Sequence, residues 1–201
     1  MSETPLARRF SAVVSEVGAA ARVIVATKYL ADDDLAGLIE AGATRVGENR
    51  LQDLERKHDR YGSAFEWHFI GQLQSRKAPS VSERVELVHS LSSLSAARKL
   101  TVPALIQVNL ADEESKAGVT PGDLPRFLEE ARDVGADVVG LSTMPPLAAL
   151  PEASRPYFRQ LADLARKLGL SELSMGTSQD YQVAAEEGAT FVRVGSVLFA
   201  G

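Results

Sequence analysis

Two cations and two short turns are the residues of this sequence that could do chemistry. Lys28 directly follows the apolar run "VIVAT", and Arg193 lies within the apolar stretch "FVRVG". The turns "MGTS", residues 175–178, and "RVGS", residues 193–196, combine glycine with hydroxyl groups. Glycine lets backbone N–H groups approach a phosphate, and hydroxyl groups add further donors. A buried lysine ammonium is costly unless it is paired, neutralised or chemically used. The combination indicates a reactive lysine beside an anion-binding turn.

Each of these features also has a purely structural explanation. A lysine at the end of a strand is often solvated or salt-bridged, and isolated Gly-Ser turns are common. Arg193 cannot lose its proton, so an inward orientation would require an acceptor or an anion. An outward orientation would instead let its aliphatic stem pack between helices. The functional interpretation therefore depends on whether these residues share one place in the fold.

Short β-branched runs alternate with segments of helical apolar spacing along the whole chain. The eight runs are "VIVAT", "TRVGE", "EWHFIG", "ELVHSL", "ALIQVNL", "VVGLST", "LSMG" and "FVRVGS". Strands that alternate with helices form a parallel sheet, because a crossover must return the chain in the same direction. Eight units predict a single (β/α)8 TIM barrel over residues 1–201. A doubly wound open sheet is the alternative, since periodicity does not reveal closure.

Two segments depart from a regular repeat. Only "LFAG" follows the eighth strand, so we expect the N-terminal helix at about residues 6–20 to occupy the place of the last barrel helix. The segment at 143–156 contains four prolines and is predicted to be a long loop after the sixth strand.

In a barrel the strands end at one mouth, where the active site is built, and the loops after strands seven and eight form the usual phosphate site. Lys28 and both Gly-Ser turns would therefore meet there. Further residues at strand ends are Glu48, Asn49, His68, Gly71, Asn109 and Thr143. His68 either points into the mouth or packs beneath Trp67, and we favour a structural role. Glu48 either stabilises a nearby cation or forms a surface salt bridge.

Composition excludes several classes of function. The net charge of −5 is spread along the sequence, whereas nucleic-acid binding needs a concentrated basic surface. No apolar run approaches the ~20 residues of a membrane span. The N-terminus also lacks the cationic segment followed by an apolar segment that is typical of a signal peptide, so we expect a cytoplasmic protein without membrane contact. The absence of cysteine excludes thiolate catalysis. The histidines at 58, 68 and 89 lack the spacing of a metal site, and no metal is expected.

Ordered motifs along nearly the whole chain resemble those of the pyridoxal phosphate homeostasis protein family. The fold of that family is similar to the N-terminal barrel domain of alanine racemase. The motifs are "VATKY" around Lys28, "GENR" at 47–50, "WHFIGQLQSRK" at 67–77, "VNLADEESKAGV" at 108–119, "GLSTMPP" at 140–146, "LSMGTSQDY" at 173–181 and "VRVGSVLFAG" at 192–201.

The resemblance implies a site for pyridoxal 5′-phosphate. Lys28 would hold the cofactor as a Schiff base, and Arg193 would face the pyridine nitrogen, with Asn49 near the ring. The phosphate group would lie on Ser178, Gly195 and Ser196, while Gly176 and Thr177 shape the turn. An arginine donor leaves the pyridine nitrogen unprotonated and the ring a weak electron sink, which handicaps carbanion chemistry.

Three positions depart from the usual pattern of the family. Thr177 stands where a methionine is usual, Arg76 precedes Lys77 where an asparagine is usual, and Ser142 replaces a common methionine. We expect the extra hydroxyl of Thr177 to be tolerated near the phosphate. A role for the missing asparagine does not carry over to Arg76.

The resemblance implies a protein that stores, buffers or delivers pyridoxal 5′-phosphate without established catalysis, so no catalytic residue is assigned. Apo-enzymes that depend on this cofactor are the expected partners, and we expect a monomer. A basic surface containing Arg76, Lys77 or Lys116 could assist release. One alternative is a low-activity racemase or transaminase, or a Schiff-base aldolase acting through Lys28. Another is a phosphosugar isomerase, which would hold no covalent cofactor.

Overall fold

The computed structural model describes residues 4–19, 21–111, 117–147 and 149–199, which form eight strands surrounded by helices. The strands are β1 (Arg22–Ala26), β2 (Arg45–Glu48), β3 (Glu66–Phe69), β4 (Leu87–Leu91), β5 (Ala104–Gln107), β6 (Val138–Ser142), β7 (Glu172–Thr177) and β8 (Phe191–Val194). The helices are α1 (Pro5–Val17), α2 (Leu35–Glu40), α3 (Leu51–Tyr61), α4 (Ala78–Ser82), α5 (Leu94–Ala97), α6 (Leu124–Asp133), α7 (Arg155–Leu168), α8 (Tyr181–Glu186) and α9 (Ser196–Phe199). Short 3₁₀ helices cover Asp32–Asp34, Gly62–Ala64 and Pro151–Ser154.

All eight strands are parallel and pair in chain order, and β8 pairs with β1 to close the barrel. Ile24 lies opposite Arg193 in this closing pair, and Val25 lies opposite Val194. The predicted TIM barrel is therefore confirmed, and the open sheet is wrong. Each predicted β-branched run coincides with one strand to within one residue at its start, because β-branched side chains suit the pleated surface between the helices and the barrel interior.

The strands alternate between an outer and an inner layer of side chains. On β8, Val192 and Val194 join the large apolar core between the barrel and its helices, whereas Phe191 belongs to a small cluster inside the barrel. The other buried members of the inner cluster are Ile24, Leu87 and Leu105. Because side chains on a strand alternate with a period of two, Arg193 must follow Phe191 toward the interior.

A hydrogen-bonded chain of polar side chains crosses the barrel interior. The Nδ1 atom of His68 lies 2.9 Å from Nε2 of His89, whose Nδ1 lies 2.7 Å from Oγ of Ser174. Burial, the largest cause, lowers the pKa of His89 well below its usual value. His68 thus has the structural role favoured from the sequence, but it does not pack beneath Trp67. The indole of Trp67 instead donates to the Gly62 carbonyl, 2.7 Å away.

Helix α1 occupies the expected position outside the barrel closure, since it packs against β1 and between α2 and α8. The guanidinium of Arg9 donates to the carbonyl of Leu198 in α9 over 2.8 Å, so α1 also holds the segment after β8.

The loop predicted at 143–156 is shorter than expected. Pro151 and Pro156 lie in the first turns of a 3₁₀ helix and of α7, where the missing N–H of proline costs no hydrogen bond.

Candidate functional site

A pocket of about 330 Å³ opens at the carboxyl ends of the strands. Seven of the eight residues predicted for the site line it: Lys28, Asn49, Thr177, Ser178, Arg193, Gly195 and Ser196. Its apolar lining comes from Ala26, Tyr29, Ile70, Met144, Leu147 and Phe199. The pocket therefore combines a lysine, an arginine and two hydroxyl-bearing turns with apolar walls, as sites for small molecules and cofactors do.

Lys28 lies on a turn that begins where β1 leaves the sheet. The Thr27 amide donates to the Gly47 carbonyl over 3.1 Å, and the Leu30 amide then donates to the Thr27 carbonyl over 2.9 Å. Lys28 is exposed, and its Nζ lies 4.5 Å from the centroid of the Tyr29 ring. The amine is therefore at the mouth of the pocket, in contact with solvent and with one aromatic face.

Arg193 points into the barrel and is almost fully buried beneath the pocket, with 7% of its surface exposed. Its Nη2 atom donates to the Thr143 carbonyl over 2.8 Å and contacts Sδ of Met144 at 3.2 Å. Burial lowers the pKa of the guanidinium to about 10. The two contacts use one nitrogen of a group with five N–H donors, so an acceptor in the pocket can still be bound.

Ser178 joins the two Gly-Ser turns. Its Oγ accepts hydrogen bonds from the Gly195 amide, 2.9 Å away, and from the Val197 amide, 3.3 Å away. Because both acceptor positions of the hydroxyl are used, its own proton is oriented away from these amides and can be donated to an anion. Gly195 lies close to β1, since a Cβ placed there would be 3.3 Å from the Ala26 carbonyl oxygen.

The turn after β7 requires glycine at position 176. Gly176 has a φ of +89°, and a Cβ added there would lie 2.5 Å from Cβ of Ala184 in α8. It does not line the pocket but shapes the turn from below. Oδ1 of Asp180 then accepts from the Thr177 amide over 2.7 Å and from the Thr177 hydroxyl over 3.1 Å. The extra hydroxyl of Thr177 therefore directs its proton to Asp180.

Asn49 lies at the end of β2 and presents an unsatisfied acceptor. Its side chain lines the pocket, and its Oδ1 is buried with no hydrogen-bond partner among the described residues. Gly71 allows this packing, since a Cβ at that position would be 2.0 Å from the Asn49 carbonyl oxygen. A buried amide oxygen without a partner is costly, so Asn49 keeps an acceptor that a small rotation of its amide could offer to a polar group.

Two residues that support the pocket from outside its lining were missed from the sequence, Asp180 and Lys57. Asp180 has a detectable signal, because an aspartate three residues after Thr177 is typical of a side chain that closes a turn onto a helix. Lys57 has none, since it stands in the polar segment "QDLERKHDR". It is nevertheless buried and lies 2.6 Å from Oε1 of Glu48. Of the two interpretations of Glu48, a partner for a nearby cation is therefore correct.

The remaining residues expected at the strand ends have supporting positions. The carbonyl of Thr143 accepts from Arg193, while the Asn109 amide donates to the Val119 carbonyl over 2.9 Å. Arg76 is exposed and Lys77 is half-buried at the start of α4. Lys116 lies outside the described residues.

Within the described ranges the chain has neither a membrane-spanning helix nor a cluster of metal ligands. None of the helices there is both long and apolar enough to cross a bilayer. In the same part of the chain, no group of three or more histidine or acidic side chains is arranged to hold a metal ion.

Comparisons with known proteins agree on one family. A model described as the N-terminal domain of alanine racemase matches residues 5–201. The pyridoxal phosphate homeostasis protein of Deinococcus radiodurans is 38% identical over 202 residues, covering 96% of this chain and 95% of the relative. The protein of the same name from Aquifex aeolicus is 37% identical over 196 residues, covering 89% and 86%. PipY of Synechococcus elongatus PCC7942, solved with pyridoxal phosphate bound, has a TM-score of 0.87 at 29% identity, covering 96% of this chain and 99% of PipY.

Proposed function

Since the chain belongs to the family of pyridoxal phosphate homeostasis proteins and carries the alanine racemase N-terminal domain, we propose that it binds pyridoxal 5′-phosphate and acts in the homeostasis of this cofactor. The observation that carries this proposal is the convergence of Lys28, Arg193 and the turns joined by Ser178 on one pocket. The whole barrel, residues 1–201, would act as one cofactor-binding domain.

The phosphate group would bind where the two Gly-Ser turns meet. Ser178 has a proton to donate, and Ser196 brings a hydroxyl donor to the same wall of the pocket, while the Gly195 amide holds the Ser178 hydroxyl in place. Gly176 and Thr177 would keep this wall in place through the left-handed turn and through Asp180. The phosphate would thus be held by neutral hydroxyl and backbone donors of the two turns.

Arg193 would donate a hydrogen bond to the pyridine nitrogen, and Asn49 would lie beside the ring. When bound, the cofactor supplies an electron sink, whose strength depends on protonation of that nitrogen. A guanidinium donates a proton without giving it up, so it would leave the nitrogen unprotonated. The proposed arrangement therefore favours holding the cofactor over catalysing carbanion chemistry.

Lys28 would anchor the cofactor as a Schiff base. Its Nζ would attack the aldehyde carbon, a C=N bond would form, and the aldehyde oxygen would leave as water. The exposure of Lys28 supports a reversible bond, because water can reach the C=N group and reverse the reaction. The recipients of the released cofactor would be apo-enzymes that require it, and the protein would act as a monomer in the cytoplasm.

The visible absorption spectrum tests this proposal. Wild-type protein is mixed with pyridoxal 5′-phosphate beside Lys28→Ala and a control, Lys99→Ala, whose side chain is exposed outside the pocket. We expect a Schiff-base band in the wild type and the control and none in Lys28→Ala. Borohydride reduction followed by mass analysis of peptides should place the cofactor on residue 28.

The same preparation distinguishes a carrier from an enzyme. A carrier restores activity to an apo-enzyme that depends on the cofactor and leaves added amino acids unchanged. Sustained racemisation or transamination that Lys28→Ala abolishes would contradict the carrier function. Binding without any borohydride-trapped product would contradict the Schiff base.

A further inference from the structure

A buried ion pair lies directly behind the turn that carries Lys28. Lys57 on α3 is 1% exposed, and Glu48 at the end of β2 is fully buried. Nζ of Lys57 lies 2.6 Å from Oε1 of Glu48 and donates to the Thr27 carbonyl over 2.7 Å. The Thr27 hydroxyl also donates to Oε1 of Glu48. The other carboxylate oxygen, Oε2, is buried without a hydrogen-bond partner in the described part of the chain.

Stability alone does not account for this pair. Removing two charges from water is expensive, and apolar residues of similar volume often replace buried ion pairs at no loss of stability. Here one carboxylate oxygen also lacks a partner, which adds to the cost. The position of the pair is therefore better explained by the groups with which it forms hydrogen bonds.

The pair holds the Thr27 carbonyl, which also closes the turn containing Lys28. That oxygen accepts from the Leu30 amide over 2.9 Å and from the Lys57 ammonium over 2.7 Å. Lys28 is the first residue after this carbonyl, so the peptide plane between Thr27 and Lys28 is fixed by a charged donor. Without Lys57, the carbonyl would keep a single neutral hydrogen bond at the point where β1 leaves the sheet.

The pair also lies behind a second residue of the pocket. Asn49 directly follows Glu48, as Lys28 directly follows Thr27. Both lining residues are therefore attached to backbone that the cluster of Lys57, Glu48 and Thr27 immobilises. No residue of that cluster lines the pocket itself.

We propose that Lys57 and Glu48 are positioning residues for Lys28, which set the direction from which its amine reaches a carbonyl group bound in the pocket. This inference rests on the proposed function, because it concerns formation of the Schiff base. Attack on a carbonyl depends on alignment, and a displacement of about 1 Å can cost about 100-fold in rate. The phosphate-binding turns after β7 and β8 do not involve the pair, so binding of the phosphate should be independent of it.

The test compares the rate of Schiff-base formation with non-covalent binding. Stopped-flow absorbance measures how fast the band forms when apo protein is mixed with pyridoxal 5′-phosphate. Titration with pyridoxine 5′-phosphate, which has an alcohol in place of the aldehyde, measures binding without the covalent step. Lys57→Met should form the Schiff base about tenfold or more slowly and bind pyridoxine 5′-phosphate within about threefold of the wild type.

Two controls separate positioning from general effects. Lys167→Met removes an exposed lysine from α7 and should change neither quantity. Leu128→Ala weakens the core under α6 without touching the pocket, so it should lower stability while leaving the rate of band formation unchanged. If Lys57→Met does not fold, the double variant Glu48→Gln/Lys57→Met takes its place, because it leaves no charge buried without a partner.

Several outcomes would overturn the inference. A rate for Lys57→Met within about twofold of the wild type would show that the pair does not position Lys28. If Lys57→Met loses affinity for pyridoxine 5′-phosphate by the same factor as its rate of Schiff-base formation, the ion pair supports the whole pocket and does not specifically position Lys28. A wild-type protein that forms no band would refute the proposed function itself, which is a distinct result.

Discussion

Ser178→Ala is the sharpest test of the phosphate cradle, because one hydroxyl joins two turns and supplies a donor. The substitution removes the acceptor for the Gly195 and Val197 amides, which lie 2.9 and 3.3 Å from Oγ. It also removes the proton that we expect to be donated to the phosphate. No new group is introduced, so the loss should be confined to these interactions.

The expected magnitude follows from the kind of hydrogen bond that is lost. A hydrogen bond to a charged group contributes about 1.5–3 kcal/mol, and each 1.4 kcal/mol is about a tenfold change in affinity. Ser178→Ala should therefore raise the dissociation constant for the phosphorylated ligand by about 10- to 140-fold. Stability should fall by about 1–2 kcal/mol, since two half-buried amides lose their acceptor.

Isothermal titration calorimetry with pyridoxine 5′-phosphate isolates this effect from the chemistry of Lys28. Ser95→Ala, on the exposed surface of α5, is the matched control and should bind like the wild type. Pyridoxine, which lacks the phosphate, should bind equally weakly to the wild type and to Ser178→Ala. A folded Ser178→Ala protein with an affinity for pyridoxine 5′-phosphate within about twofold of the wild type would refute the assignment of the cradle.

Two further predictions concern stability, measured by urea unfolding. Gly176→Ala forces an L-residue into φ +89° and places its Cβ 2.5 Å from Cβ of Ala184, so the free energy of unfolding should fall by about 2–5 kcal/mol. Gly188 has a similar φ of +91°, but a Cβ added there would meet no neighbouring atom, so the free energy of unfolding of Gly188→Ala should fall by only about 1–2 kcal/mol. Equal losses of stability in the two variants would contradict the role of the Ala184 contact. His89 has a lowered pKa in the fold, so below about pH 6.5 the unfolded state binds a proton that the folded state does not. Below about pH 6.5, the free energy of unfolding should therefore fall by about 1.4 kcal/mol per pH unit in the wild type and less steeply in His89→Gln. If the free energies of unfolding of the two proteins fall in parallel with pH, His89 is not the cause.

The sequence predicts the barrel because the two periodicities are visible in it. Each β-branched run is short and each intervening segment has helical spacing, so eight parallel strands follow without knowledge of any contact. Closure is different, since it depends on β8 meeting β1, and no local pattern records that pairing. The positions of Lys28 and the Gly-Ser turns follow from the barrel, because all strand ends share one mouth.

The local sequence does not reveal the direction in which Arg193 points or the residue with which Lys57 pairs. The strand containing Arg193 is buried on both faces, so hydrophobicity could not show which way the arginine points. The burial of Lys57 could not be predicted either, because it results from the approach of α3 to the ends of β1 and β2. Its neighbour Arg56 has the same charge and helix propensity but is exposed and pairs with Asp32. Only the packing of the helix distinguishes the two.

The location of acid and base groups in the pocket bears on whether the protein holds a cofactor or turns over a substrate. Among the described residues that line the pocket, the titratable side chains are those of Lys28, Tyr29 and Arg193. Lys28 and Tyr29 are adjacent on one turn and their side chains contact each other, so both lie on the same side of the pocket. Racemisation needs proton transfer on both faces of the reacting carbon, and Arg193 is a poor proton donor even with its pKa lowered to about 10. Two-base racemisation in this pocket would therefore need a second acid–base group opposite Lys28 and Tyr29.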